Sequence, residues 1–287
     1  MNLRALQSLV AIAEGGSFQQ AAQRLGLSQS AVSMQIKALE ERLGRILVDR
    51  ASRPLRLSEC GEAVLREARA MLEALARIEA LAEGTGDLAG TLFLGVIPTA
   101  STTLLPQALK ALKTAHPRLG IRVESGLSGE LTQKLAQGTL DAAIVTAPQT
   151  PDPAFARHLL VDEPLVLIDL PGEGDPVDLD TARGRPFIRF NRRAGVGEVI
   201  DRLLGQLGTD VETAMELDSI DAITRMVAEG LGIAIVPRST LSPAMARRLR
   251  ILPIDHPAAR RRVVLLHEPG SRKARLIAPL VTALQNF

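Results

Sequence analysis

Apolar positions in the first third of the chain recur at helical spacing. Leu3, Leu6, Val10 and Ala13 share one face of a helix that Gly15-Gly16 stops. Ser17 caps a second helix, and Gln20 three residues on completes a capping box. Ala21, Ala22 and Leu25 form its inner face, and Gly26 permits the left-handed turn that ends it. Ser28 caps a third helix, which ends at Gly44; Val32, Ile36, Leu39 and Leu43 are spaced to form one buried stripe on it. Alternation around 46–48 and 55–57 then predicts a two-stranded wing. Ser58 caps a long helix in which Val64, Ala68, Met71, Leu75, Ile78 and Ala82 repeat at heptad spacing. That spacing predicts a seam for a partner helix, with packing on its own domain as the alternative. Three glycines in 84–91 break this rod and form a hinge.

From Thr91 the pattern changes to alternating strands and helices. "TLFLGVI" (91–97) reads as a buried strand, followed by a helix that Ser101 caps and that runs to about Ala115. "GIRVESG", a helix around 130–137 and "LDAAIVTA" follow. After a crossover at 162–164 come "LVLID", "PFIRF", a helix around 197–207, "DVETAMEL", a helix around 219–229 and "GIAIVP". Repeated βα units argue for parallel sheets flanked by helices, here in two lobes. "RRVVLLHE" and the last helix return to the first lobe, so two strands cross between lobes and form a natural hinge. The expected fold class is α+β multidomain: a winged helix-turn-helix at 1–58, a linker helix and hinge at 59–88, and a two-lobed α/β domain at 89–287. Lobe I takes about 89–162 and 267–287, and lobe II about 163–266.

The third helix carries Gln29, Ser30, Ser33, Met34 and Lys37 opposite its apolar stripe. A helix, a glycine turn and a second helix with short polar side chains near its start is helix-turn-helix geometry. Such a helix enters the major groove, where Gln can pair with adenine and Ser can serve a base or a phosphate. Ser28 brings a helix N-terminus, which favours phosphate oxygens, and Arg50, Arg53 and Arg56 lie on the wing, suited to the backbone. Charge agrees: residues 1–58 hold eight basic side chains against four acidic ones, whereas 59–87 hold three against seven. The basic head alone suits a polyanion. With six Phe and no Trp or Tyr, stacking of bases on aromatic platforms is not expected.

Residues 1–61 resemble the N-terminal domain of LysR-type transcriptional regulators. The matching residues are Leu6, Phe18, Ala21-Ala22, Leu25, Ser28-Gln29, Ala31-Val32-Ser33, Gln35-Ile36, Leu39-Glu40, Leu43-Gly44, Arg50, Leu57-Ser58 and Gly61. Ser30 stands where the family usually has Pro, Met34 where it often has Arg, Val48 where an aromatic or leucine is common, and Cys60 where alanine is usual. Loss of a cation at Met34 should alter the half-site preference. The resemblance also implies dimerisation through the linker helix, commonly with dimers pairing into tetramers. It extends over the body, which resembles the family's effector-binding domain, akin to type II periplasmic binding proteins, with "AEGLGIAIVP" as a family-like stretch.

In open α/β sheets ligands bind beyond the carboxyl ends of strands, at helix N-termini. That rule selects Thr99, Ala100, Ser101 and Thr102, then Ser128 and Thr146 in the first lobe, and Asn191, Arg193 and Ser219 in the second. The resemblance implies that such loops hold a small metabolite; about half of the hydroxyls are expected to serve only as helix caps. Arg189, Arg192 and Arg193 precede a helix N-terminus, so a small anion is the expected effector and Arg193 its expected cation. The alternative is that all three form a solvated surface cluster.

Other chemistry finds little support. "GLSG" at 126–129 lacks the G-x-S-x-G of a nucleophile elbow, no phosphate-binding glycine loop opens a helix, and four scattered histidines show no ligand spacing. "RRR" at 260–262 opens a strand, where charge more often protects an edge. One cysteine, Cys60, excludes an intrachain disulfide and fits a reducing compartment. With no signal peptide or long apolar run, a cytoplasmic location is expected. No cofactor, metal site or catalytic residue is expected. The expected partners are double-stranded promoter DNA, a small anionic effector, further copies of the chain and RNA polymerase. The competing functions are a transporter's solute-binding protein, which leaves residues 1–90 unexplained, and an enzyme on the same two-lobed fold.

Overall fold

The structure is a computed structural model that describes residues 2–50, 52, 55–82, 88–171 and 184–286, with the backbone alone at 73, 76–77 and 79–82. The chain divides into two units, one up to Thr91 and one from Leu92 onward. Among the described residues no helix is long and apolar enough to cross a membrane.

In the first unit, α1 (Leu3–Gly15), α2 (Phe18–Leu25) and α3 (Gln29–Leu43) are delimited by their caps. Ser17 Oγ accepts from Gln20 N and Ser28 Oγ from Ala31 N, each at 3.1 Å. Gly16, Gly26 and Gly44 end the helices at φ of 67°, 65° and 63°, a left-handed conformation that glycine adopts without steric cost. Leu6, Leu9, Ile12, Ala21, Ala22, Val32, Ile36 and Leu39 make one aliphatic core. Leu43 does not join the stripe; it is 40% exposed, because the chain turns away at Gly44. The wing is the antiparallel pair β1 (Val48–Asp49) and β2 (Arg56–Leu57).

α4 (Glu59–Ala82) has 24 residues and rises roughly 36 Å. Its first turn is locked to the wing: Ser58 N donates to Leu47 O at 2.9 Å, and a Cβ at Gly61 would lie 2.1 Å from the same oxygen. The heptad seam divides. Val64 and Ala68 belong to the head's own core with Leu65, whereas Met71 and Ile78 are exposed. The first half of the stripe therefore packs on its own domain; Leu75 is half-buried, and the Ala82 side chain lies outside the described residues.

The second unit runs β3 (Gly90–Val96), α5 (Pro98–Thr103), α6 (Leu105–Ala115), β4 (Leu119–Ser125), α7 (Ser128–Ala136), β5 (Ala142–Thr146), β6 (Ala156–Asp169), β7 (Phe187–Phe190), α8 (Gly195–Leu207), β8 (Thr213–Leu217) and α9 (Ile220–Ala228). It continues with β9 (Ala234–Pro237), a short 3-10 turn at Arg238–Thr240, α10 (Pro243–Arg248), β10 (Arg250–Pro253), β11 (Arg260–His267) and α11 (Ala274–Gln285). The main strand order is β10-β6-β11-β5-β3-β4, with β9 also on β6 and a separate β7-β8 pair.

Two expectations are corrected. The strand expected to begin after the crossover at 162–164 starts earlier: β6 runs straight through these residues, pairing with β11 up to Pro164 and with β9 and β10 beyond. The alternation of side chains continues across Glu163 and Pro164. The sheet is also mixed. β3–β5 and β7–β8 are parallel, but β11 is antiparallel to both β5 and β6, since it returns from the second lobe. β6 and β11 are the two crossing strands. The first lobe buries Leu92, Leu94, Val96, Ile144 and Leu280; the second buries Leu167, Phe187, Ile188, Ile200, Ile223 and Ile235.

Candidate functional site

The outer face of α3 is open to solvent. Ser28, Gln29, Ser30, Met34 and Lys37 are exposed and Ser33 is half-buried. The Gln29 side chain makes no hydrogen bond among the described residues, and Met34 is 66% exposed, the state of side chains kept for a partner. Ser28 Oγ caps the helix and lies 2.9 Å from Ser30 Oγ. Lys37 sits 3.7 Å from Glu41 one turn on, a solvated pair that costs little to open. On the inner side, Ser8 Oγ donates to Gln35 Oε1 at 2.6 Å and fixes the helix against α1.

Arg50 is less free than a bare wing cation. Its Nη2 is 3.4 Å from Glu40 Oε2, and its guanidinium lies 5.4 Å from the centre of the Phe18 ring. The other oxygen of Glu40 accepts from Leu47 N at 2.8 Å and Val48 N at 3.1 Å. Glu40 thus clips the wing to the recognition helix; its position on a helix face otherwise rich in charge hid that role. Arg53 lies outside the described residues.

In the second unit, three of the selected loops converge. Thr146 N donates to Ser128 Oγ at 3.3 Å. A Cβ at Gly195, the first residue of α8, would lie 2.7 Å from Thr146 Cβ and 2.8 Å from Ser128 Oγ, so glycine is required for this approach. Gly195, Val196 and Gly197 are buried, yet neither α8 nor α7 has a side-chain cap. A buried helix start without a cap leaves N–H donors waiting for a partner. Beside them Thr146 Oγ1 is buried with no hydrogen-bond partner among the described residues. Two hydroxyls and the N-termini of α7 and α8 lie together here, and helix N-termini favour an anion without a net cation.

The remaining residues take different places. Asn191 Nδ2 donates to Asp218 Oδ1 at 2.6 Å and Asn191 Oδ1 accepts from Arg193 N at 2.8 Å, which shapes the loop before α8. Arg193 is exposed, and its guanidinium has no partner among the described residues. Arg192 pairs with Glu216, and Arg189 is buried against Asp201 and Thr213; burial, then the neighbouring Arg192, pushes the Arg189 guanidinium down and Glu216 pushes it up. Ser219 Oγ caps α9 at Ala222 N, 3.3 Å away. Ser101 does not cap a helix: it lies inside α5, its hydroxyl bonded to Pro98 O, because Pro98 starts the helix three residues earlier. Thr102 Oγ1 bonds back to Thr99 O. Ala100 is buried.

Thr99 leads to a network that the sequence reading assigned to strand-edge protection. Arg261, the middle of "RRR", is 1% exposed. Its Nη1 donates to Thr99 Oγ1 and its Nε to Glu163 Oε1, each at 2.9 Å, while Glu163 Oε2 accepts from Ser239 N at 3.0 Å. One ion pair on the two crossing strands thus joins the loop after β3 to the turn after β9. Burial pushes the Arg261 guanidinium down from its ordinary value, and the Glu163 carboxylate beside it pushes back. Strand parity was the available signal: Arg261 shares a face with Val263 and Leu265, whereas Arg260 and Arg262 share the other.

Residues 3–62 match the family model described as bacterial regulatory helix-turn-helix protein, lysR family, and residues 85–287 match the LysR substrate binding domain. The chain belongs to the LysR family. It is a LysR-type DNA-binding transcription regulator with an effector-binding domain, and its relatives are regulators. It is 30% identical over 277 residues to the hydrogen peroxide-inducible genes activator of Dickeya chrysanthemi, covering 94% of this chain and 90% of that protein. A solved full-length OxyR variant from Pseudomonas aeruginosa has a TM-score of 0.73 at 25% identity, covering 99% of this chain and 95% of that one. Full-length CbnR complexed with its target DNA shares the fold, with a TM-score of 0.65 at 23% identity over 100% of this chain and 99% of that one.

Proposed function

We propose that this LysR-family chain reads a promoter with the exposed first half of α3, and that a small anion bound beside Ser128, Thr146 and the start of α8 switches its output. The observation that carries the effector reading is the buried, unpartnered hydroxyl of Thr146 beside an uncapped helix N-terminus. An orphaned donor costs stability unless a ligand uses it. A carboxylate or phosphate accepts from the hydroxyls and amides together, and the exposed Arg193 supplies the nearby cation. The site has hydroxyls and amides but no nucleophile with an adjoining base, so the reading includes no catalysis. Met71, Leu75 and Ile78 form the dimer seam on the outer half of α4. Acting on promoter DNA, the protein works in the cytoplasm.

Peroxide sensing, which the Dickeya relative's name suggests, is not transferred. Reversible thiol oxidation in the effector domain needs cysteine, and the one cysteine here, Cys60, is on α4. Calorimetry with a panel of carboxylates and sugar phosphates on wild type and Thr146→Val tests the reading. An anion should bind wild type and bind Thr146→Val about tenfold more weakly, the loss of one charge-assisted hydrogen bond. A neutral cognate effector, or equal binding by the variant, overturns it.

A further inference from the structure

The opposite face of β11 carries a different arrangement. A cavity of 510 Å³ lies among β6, β11, α8 and the chain that follows β5. Alternation along the strand turns Arg260, Arg262 and Val264 into it and Arg261 away toward Thr99. Four guanidiniums line it, those of Arg157, Arg202, Arg260 and Arg262, against the single carboxylate of Asp162.

The four are held in different ways. Asp162 Oδ1 accepts from Arg260 Nε at 2.7 Å, and Asp162 Oδ2 lies 3.4 Å from Arg262 Nε. One carboxylate therefore anchors two arginines by their inner nitrogens, leaving positive charge in excess. The Gln149 side-chain oxygen, in the amide orientation that satisfies both groups, accepts from Arg202 Nε at 2.5 Å and Nη2 at 2.6 Å. That neutral partner positions Arg202 without cancelling its charge. The Arg157 guanidinium makes no hydrogen bond or ion pair among the described residues.

The charges are also spaced. Arg157 pairs across the strands with Leu266, four residues along β11 from Arg262, which is roughly 13 Å of strand. Between these ends the lining is apolar, with Val264, Leu159 and Val199. Cations at both ends and aliphatic side chains in the middle match a molecule of the same pattern. Burying one acidic group would leave the other end unsatisfied, and a neutral ligand would leave like charges facing one another.

We propose that this cavity is a second small-molecule site, for an organic dianion whose two acidic groups, carboxylate or phosphate, are joined by a short aliphatic spacer. Occupation acts on the same helix as the cleft: α8 lends Val199 and Arg202 to the cavity and its first residue to the contact with Thr146 and Ser128. Two anions on opposite faces of β11 would thus bias one element.

The test is calorimetry on the full chain at constant ionic strength. The probes are glutarate and 3-phosphonopropionate, with butyrate and 1,5-pentanediol as the one-ended and uncharged analogues. At least one dianion should bind, and which one does distinguishes a dicarboxylate from a phosphate-bearing ligand. Arg157→Gln combined with Arg262→Gln should weaken it about tenfold or more, as should loss of one acidic group. Thr146→Val, in the other site, should weaken it far less than the arginine variants do. Should the double variant fold poorly, Arg202→Gln alone serves the same purpose. The proposal is overturned if neither dianion binds at millimolar concentration, if butyrate binds as tightly, if the arginine variants bind unchanged, or if Thr146→Val weakens binding as much as they do.

Discussion

The recognition helix and the crossing strand β11 place polar side chains in opposite ways. On α3 the functional face is exposed and largely unpaired, so each side chain waits for an external partner. On β11 the central arginine is sealed in with a carboxylate and a hydroxyl from distant parts of the chain. The first arrangement keeps specificity cheap to change, since substituting Gln29 or Met34 disturbs no packing. The second makes each residue depend on the others, because a buried charge tolerates no missing partner. One surface can therefore diversify while the crossing strands stay constrained.

The sharpest way to break that comparison is to remove the buried cation. Arg261→Met leaves Glu163 buried beside no positive charge and should cost about 3–5 kcal/mol in urea unfolding of the effector domain. Adding Glu163→Gln, which still accepts from Ser239 N, should restore most of the loss. A double variant as unstable as the single one would show that the pair is not a coupled unit. On α3 the expected effect is smaller and confined to binding. Gln29→Ala should cost about 1–3 kcal/mol of discrimination at one base pair in competition gel shifts, with no change in thermal midpoint. A destabilised Gln29→Ala would mean the helix face is not free as described.

A third substitution separates the cleft from both. Thr146→Val removes an unpartnered hydroxyl, so it should raise stability by about 1 kcal/mol while weakening the effector. A loss of stability would show that the hydroxyl is already satisfied. The smallest effect expected concerns pH. His158 stacks on His267 at 5.1 Å, with Nε2 to Nε2 at 3.0 Å. Burial, and then the charge of His267, holds the His158 imidazole below its ordinary value. The unfolded chain therefore takes up the proton first, and stability should fall as pH drops below about 6.5. His158→Gln should flatten that slope; an unchanged slope would assign it to other groups.

The head was legible almost residue by residue, because caps, glycine turns and helical periodicity are local signals. Leu43 escaped since a stripe predicts a face but not where the neighbouring helices end. In the body, strands were found, but only the apolar end of β6 at 165–169 stood out, because its first half carries no buried apolar run. The mixed direction of the sheet depended on long-range pairing of β11 with β5 and β6, which no local pattern encodes. The same cause hid the ion pair: Arg261 and Glu163 are 98 residues apart. Among the effector loops, position after a strand selected Ser128 and Thr146, but could not tell them from Ser219, whose hydroxyl is already engaged as a cap.

Gly61 carries a consequence for the shape of the DNA target. With the Leu47 carbonyl packed against it, the joint where the long helix leaves the head has no room for a side chain. In a pair of chains zipped along the outer half of that helix, the gap between the two reading surfaces is then a built-in ruler. B-DNA presents the same groove face once every 34–36 Å or so. Such a pair should accept half-sites whose centres differ by a whole turn of the duplex more readily than sites offset by half a turn, whatever bases they contain. A larger residue at position 61 would re-mark the ruler, changing which spacing is read and leaving the preferred bases alone.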